Sequence, residues 1–248
     1  MVLTKGLYLS DMLHPVLRGA RACIFDAGGT LVHPDWPRLS RIAGEMSGRS
    51  FEANEMSRAF GEMLRGVGLE MQTEGFVLPD EMKRPHWTFR RMYGALGLDE
   101  ATCERVIERL ADSHVERHVW CGIDHEVPRV LEGLKREGLI IAVISNTEDG
   151  RLVDSLAASG IADSFDLLID SHLVGCRKPD AAIFRLTLER LGLEAHEAAY
   201  VGDSYVHDAL AARANGLRGI LIDPLDLHPE SVCPRIKSLS ELYSTDAQ

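Results

Sequence analysis

Short, unbroken apolar runs alternate along the chain with longer stretches in which apolar positions recur every three or four residues. Runs at Ala22–Phe25, 139–144, 167–169 and 198–201, with a further one at 219–222, predict strands. Stretches at 127–137, 151–158, 181–191 and 206–214 predict helices, each closed or closely followed by a glycine (Gly138, Gly160, Gly192, Gly216), the residue that most easily ends a helix. Strands without a polar face, alternating with helices, predict a parallel sheet covered by helices on both sides.

The interval from Asp35 to Trp120 breaks this rhythm. It is rich in Arg, Glu, Met and Ala at helical spacing and has little strand character. Glycines and prolines between Gly66 and Pro85 predict a turn between two helical pairs. The fold class expected is therefore α/β, a doubly wound parallel sheet with a smaller all-helical cap domain. Its core would comprise residues 1–34 and 119–248, and the cap 35–118. Residues 1–20 mix leucines with charged positions and lack the continuous apolar centre of a signal peptide. They read as an extension packed on the core, or in part as a mobile tail.

A chain of 248 residues can bury a sizeable core, and 45% hydrophobic with 26% charged residues is ordinary for a soluble globular protein. The net charge of -11, without a clustered Lys/Arg patch, argues against nucleic acid as a partner. No apolar run approaches the roughly 20 residues that span a membrane. Cys23, Cys103, Cys121, Cys176 and Cys233 are scattered, odd in number and free of any C-x-x-C pair, so a disulfide framework and a zinc site are not suggested and a cytoplasmic location is expected. The sequence says nothing of oligomeric state.

In open α/β sheets, ligands bind beyond the carboxyl ends of the strands. Four such ends carry reactive side chains. The first strand runs into Asp26 and a glycine-rich turn, Gly28-Gly29-Thr30. Ser145-Asn146 follows the second run, where a hydroxyl and exposed amides can hold phosphoryl oxygens. Cys176-Arg177-Lys178-Pro179-Asp180 precedes a helix, and Gly202-Asp203-Ser204 leads to His207-Asp208. Singly, each is equally at home as a turn, a helix cap or a solvated lysine. Two carboxylates from different strand ends, Asp26 and Asp203, can together supply a hard divalent cation with oxygen ligands.

Taken in order, these four segments resemble the motifs of the haloacid dehalogenase-like (HAD) hydrolases across residues 22–222. The placement is nearest to the branch with a cap after the first motif sometimes termed REG-2-like. The resemblance implies a hydrolase of a small phosphorylated molecule, with Asp26 as nucleophile forming an aspartyl intermediate. It further implies Mg²⁺ held by Asp26, the backbone carbonyl of Gly28 and Asp203, with Asp208 as a ligand through water or an acceptor bracing the site. Ser145, Asn146 and Thr30 would bind the phosphoryl group, and Lys178 would neutralise charge shared by Asp26 and that group. In this family a cap also selects the substrate. Trp87, Phe89, Arg90, Arg91 and Tyr93 cluster within the cap, where Arg90 or Arg91 could reach a second anionic group, or else be solvated over inward-packed aromatics.

One position departs from the pattern. The family's phosphatases usually carry a second aspartate, a general acid and base, where this chain has Gly28. Such catalysis contributes about 10²–10⁴ in rate. His33, and less readily Asp35, is a candidate surrogate acid. A dehalogenase also lacks the second aspartate but has no counterpart of Asp203. A phosphonatase-like C–P hydrolase would need a Schiff-base lysine, for which Lys83 is the cap candidate. A weakly catalytic binding protein is the remaining alternative. Among the histidines only His114 and His118 have ligand-like spacing, and they are expected on the exposed cap surface. Cys176, close to Lys178, is expected to be inert packing or oxidation-sensitive.

Overall fold

The computed structural model describes residues 12–73 and 86–244. In chain order the elements are β1 (Ala22–Phe25), β2 (His33–Pro34), α1 (Trp36–Ser47), α2 (Ala53–Met71), α3 (Trp87–Ala95), α4 (Glu100–Glu116), β3 (Trp120–Gly122), α5 (Val127–Arg136), β4 (Ile140–Ser145), α6 (Leu152–Ala158), β5 (Leu167–Asp170), α7 (Ser171–Val174), α8 (Ala181–Leu191), β6 (Ala198–Gly202), a π-helical stretch Tyr205–Leu210, α9 (Ala211–Ala214), β7 (Arg218–Ile222) and β8 (Arg235–Ile236).

Six strands form one parallel sheet in the order β5-β4-β1-β6-β7-β8. Side chains along each inner strand alternate between two apolar layers. Cys23 and Phe25, Ile141 and Val143, and Ala199 and Val201 pack with Val130, Leu131 and Leu134 of α5. Ala22 and Ile24, Ala142 and Ile144, and Ala198 and Tyr200 pack with Ile183, Phe184 and Leu188 of α8. Both faces are thus covered, which is why these strands read as unbroken apolar runs rather than as alternating ones. Full burial of each large apolar side chain stabilises by about 1.5–3 kcal/mol. From β1 the chain builds β4 and β5 on one side, then crosses back to build β6 to β8 on the other. The ends of β1, β4 and β6 therefore converge where the winding reverses.

Helices α1 to α4 lie between β2 and β3 and share their own apolar cluster, including Leu39, Ile42, Met56, Phe60, Phe89, Tyr93, Val106 and Leu110. Asp35 caps α1 by accepting from the Arg38 amide at 3.2 Å. The strands β2 and β3 pair antiparallel and carry the chain out to the helices and back. Across this ribbon the Arg38 guanidinium donates to the carbonyls of Arg117 and His118, both at 2.8 Å.

Two expectations are corrected. Helix α2 continues through Gly66 and Gly68 to Met71, so the predicted turn does not begin at Gly66. Burial of Met63 and Val67, and the proximity of Gly68 to Val206, outweigh a helix penalty of about 1 kcal/mol per glycine. The remainder of that predicted turn, 74–85, lies outside the described residues. The helix expected at 206–214 begins as a π-helical stretch, and the two-residue strands β2 and β8 are too short to leave a periodic signal. At the N-terminal end, Leu17 is fully buried and Leu13 bridges to Tyr243, while residues 1–11 lie outside the described part. No described helix is long and apolar enough to cross a membrane.

Candidate active site

Asp26 directly follows β1 and its amide donates to the Val201 carbonyl at 2.8 Å, which ties the end of β1 to the end of β6. Beyond it the chain turns sharply. The amides of Leu31 and Val32 both reach back to the Ala27 carbonyl at 2.9 Å, and the Gly29 amide donates to Val32 at 2.7 Å. Gly29 has φ +94°, and a β-carbon there would collide with the Asp203 carboxylate. This turn therefore needs glycine for both its backbone and its neighbour.

Lys178 is 3% exposed, and its ammonium has three acceptors: Asp26 Oδ1 at 2.6 Å, Asp208 Oδ1 at 2.6 Å and the Tyr200 hydroxyl at 2.8 Å. All three of its protons are used, so the charge is fixed in place. Asp208, in the π-helical stretch, accepts from Tyr200 at 3.0 Å and through its other oxygen from the Ser204 amide at 3.0 Å. Such π-helical turns are frequent at functional sites.

Asp26, Asp203 and Asp208 each place a carboxylate oxygen within 4.8 Å of the others. Three acids face one ammonium. Burial pushes the Asp26 carboxyl up to about 6, opposed by Lys178 and assisted by Asp208. Burial, Asp26 and Asp208 hold Asp203 well above the ordinary carboxylate range. For Lys178, burial works against the charged form, but Asp208 and Asp26 raise its pKa above the usual lysine value. The uncompensated negative charge, and the buried Asp26 Oδ2 that has no hydrogen-bond partner among the described residues, fit a hard divalent cation. The Thr30 hydroxyl is likewise buried without a partner.

Asn146 lies elsewhere in the logic of the site than its sequence suggests. Its side-chain amide donates to the Lys178 carbonyl and accepts from the Lys178 amide, both at 2.9 Å. The side chain thus holds the lysine loop. Ser145, buried at the end of β4, pairs in register with Asp170 of β5. Asp170, which the sequence reading passed over, accepts from the Thr147 hydroxyl and from the amides of His172 at 3.0 Å and Leu152 at 3.1 Å, so it shapes the loop after Ser145. Its only sequence signal is a carboxylate at a strand end.

The remaining candidates are engaged away from this cluster. His33 directs Nδ1 to the Pro34 carbonyl at 2.9 Å, its Nε2 lies 3.8 Å from the exposed Asp124, and its ring lies on Gly122. Arg90 is paired with Glu104 and Arg91 with Glu70, within the helical unit. These pairs serve the cap itself instead of presenting open cationic heads. Lys83 lies outside the described residues.

Two aromatic residues were missed. Tyr200 is a buried strand residue whose hydroxyl happens to end at Lys178. Trp120, on β3, lies against Gly28: a β-carbon on residue 28 would sit 3.1 Å from its ring. Neither carries a motif, because each reaches the site from a position that reads as ordinary packing.

The chain matches the model of the haloacid dehalogenase-like hydrolases over residues 20–216, most of its length. The chain belongs to this family. A mouse relative named haloacid dehalogenase-like hydrolase domain-containing protein 3 is 41% identical over 118 residues, covering 45% of this chain and 47% of that protein. The match thus spans about half that relative's length. Phosphoglycolate phosphatase of Pectobacterium atrosepticum is 30% identical over 208 residues, 82% of this chain and 80% of that one. Among solved structures, a HAD-hydrolase of Bacillus subtilis bound to magnesium superimposes with a TM-score of 0.65 at 19% identity, covering 90% of this chain and 97% of the other. The α/β core and its helical insert are thus the fold of HAD hydrolases.

The expectation that His114 and His118 lie on an exposed surface is corrected. His118 is 8% exposed, and His114 meets Asp149 of the core at 3.1 Å. The Val119 amide donates to His114 Nδ1 at 3.1 Å, which leaves a neutral His114 ring protonated at Nε2, while His118 Nδ1 lies 3.2 Å from the Trp120 amide and 3.3 Å from the Trp120 carbonyl. His114 Nε2–H then donates to Asp149. One ligand atom from each of His114, His118 and Asp149 falls within 4.8 Å of the others, and the hydrogen bonds of His114 make it a bridge between helices and core.

Proposed function

We propose that this HAD hydrolase is a Mg²⁺-dependent phosphatase of a small phosphorylated metabolite, working through an aspartyl-phosphate on Asp26. One observation carries the reading. Asp26 has one carboxylate oxygen locked onto Lys178 and the other buried and unpartnered among the described residues, and a carboxylate oxygen of Asp203 lies within 4.8 Å of one of Asp26. Asp203 distinguishes this site from the dehalogenase pattern, which lacks that carboxylate. Phosphatase-named relatives, such as that of Pectobacterium atrosepticum, support the same class.

The Asp26 carboxylate, Asp203 and the Gly28 carbonyl would hold the cation, with Asp208 bracing them. A bound Mg²⁺ would supply charge stabilisation for the phosphoryl oxygens and keep the acids ionised. Lys178 holds Asp26 Oδ1 and leaves Oδ2 as the free nucleophilic oxygen. Ser145 and Thr30 would supply hydroxyls to the phosphoryl group, and Asn146 fixes Lys178. Pre-set charges of this kind commonly carry the larger share of catalysis.

The test is release of phosphate from an aryl phosphate with and without Mg²⁺, beside Asp26→Asn. Metal-dependent turnover lost in that variant is expected. Turnover that persists in Asp26→Asn would overturn the reading, as would none with any phosphoryl compound.

A further inference from the structure

In a phosphatase of the kind proposed above, on which this inference rests, the oxygen leaving phosphorus must gain a proton or depart as an anion. Residue 28 has no side chain, and the space before its α-carbon is already filled. A β-carbon there would lie 3.1 and 3.2 Å from two ring carbons of Trp120, tighter than an ordinary contact, so the indole would have to give by a few tenths of an ångström to admit a side chain.

The indole is firmly held. The Trp120 amide donates to His118 Nδ1 at 3.2 Å, and its carbonyl accepts from the Ser155 hydroxyl at 2.6 Å. The ring meets Phe60 edge-on with centroids 5.7 Å apart and Phe89 at 5.9 Å. It packs against the apolar cluster of the core and that of the helices alike. An indole N–H is far too weak an acid to protonate a leaving oxygen. Meanwhile both nitrogens of His33 face Pro34 and Asp124, and Asp35 is occupied by Arg38.

We propose that Trp120 fills the proton donor's place beside Gly28, and that the site takes phosphate compounds with a weakly basic departing oxygen: acyl phosphates and aryl phosphates. Asp26 Oδ2 bonds to phosphorus as the bond to the departing oxygen breaks. The electron pair goes to that oxygen, which leaves as carboxylate or phenolate with no proton required. Water then attacks the aspartyl-phosphate, the P–Oδ2 bond breaks to restore the Asp26 carboxylate, and both protons of the water remain on the released dihydrogen phosphate. The indole offers the departing group a flat apolar wall, which suits an aromatic ring better than a charged one.

The experiment is a leaving-group series with the Mg²⁺-supplied protein. It compares acetyl phosphate, aryl phosphates whose phenols ionise from about pH 5 to about pH 10, and an alkyl phosphate. A fall in kcat/KM of about 10²–10⁴ from the weakly to the strongly basic end is expected, the range that a missing general acid represents. Trp120→Phe should keep this slope. Gly28→Asp combined with Trp120→Ala should raise the alkyl phosphate relative to the aryl ones by about tenfold or more. Comparable rates across the wild-type series would overturn the inference while leaving the phosphatase reading intact, and this comparison does not depend on any variant folding. No turnover of any member would overturn both.

Discussion

Asn146 and Lys178 are joined twice, side-chain amide to backbone carbonyl and backbone amide to side-chain carbonyl, each at 2.9 Å. This pairing couples the strand end that carries Ser145 to the loop that carries the buried ammonium. Asn146→Ala would remove both bonds and leave buried backbone groups unpaired, a loss of about 1–3 kcal/mol. Denaturant unfolding should show that loss. Steady-state kinetics should show kcat falling while KM changes little, since the lysine would be displaced and not the substrate's own contacts. An unchanged kcat would contradict the positioning role.

Metal dependence of stability should itself depend on pH. Without metal, burial holds Asp26 at about 6 and raises Asp203 well above the ordinary carboxylate range, so the native state binds more protons than the unfolded one. Stability is then lost as pH rises from about 4 through about 6, on the order of 2–3 kcal/mol for Asp26. Mg²⁺ binds the ionised acids, so it should raise the melting temperature far more at pH 7.5 than at pH 5. About 2.7 kcal/mol is expected at 100 times Kd. A shift of equal size at both pH values, or one retained in Asp203→Asn, would count against this metal site.

Gly29→Ala should be among the most damaging single changes. The residue has φ +94°, and its β-carbon would strike the Asp203 carboxylate. Backbone strain alone costs on the order of 1–3 kcal/mol. Calorimetry should register at least that loss, together with loss of Mg²⁺ protection. A variant with wild-type melting and metal response would refute the close approach.

His118 should contribute to acid sensitivity. Burial, then the neighbouring His114, lowers its pKa to about 4. The unfolded state therefore takes up a proton near 6.5 that the native state refuses, so stability falls as pH drops from 6.5 towards 4, by about 2 kcal/mol after allowing for partial solvent access. His118→Asn keeps an acceptor for the Trp120 amide while removing the titration. Its stability should fall less steeply than that of the wild type over this interval; parallel curves would argue otherwise.

Much of the sheet was legible because strands buried on both faces cannot carry polar residues, and β1, β4, β5, β6 and β7 all stand out as short apolar runs. The ribbon strand β3 was not, since three residues hold no period. At the site, Asp26, Lys178, Asp203 and Asp208 could be picked out because each follows or precedes a recognisable element, and the structure brings them within hydrogen-bonding or ligand distance. His33, Arg90 and Arg91 illustrate the opposite case. Whether a histidine or arginine faces a ligand or a neighbouring acid depends on partners distant in sequence, here Asp124, Glu104 and Glu70.

The chain's own order of residues determined the α/β class, the helical insertion after the first strand and the absence of a side chain at position 28. These follow from local periodicity and residue identity alone. Only the tertiary structure decided what stands in front of Gly28. Trp120 arrives there from 92 positions along the chain, steered by β3 pairing with β2 and by stacking on Phe60 and Phe89. Packing of that kind depends on which surfaces meet in three dimensions, and no spacing along the sequence encodes it.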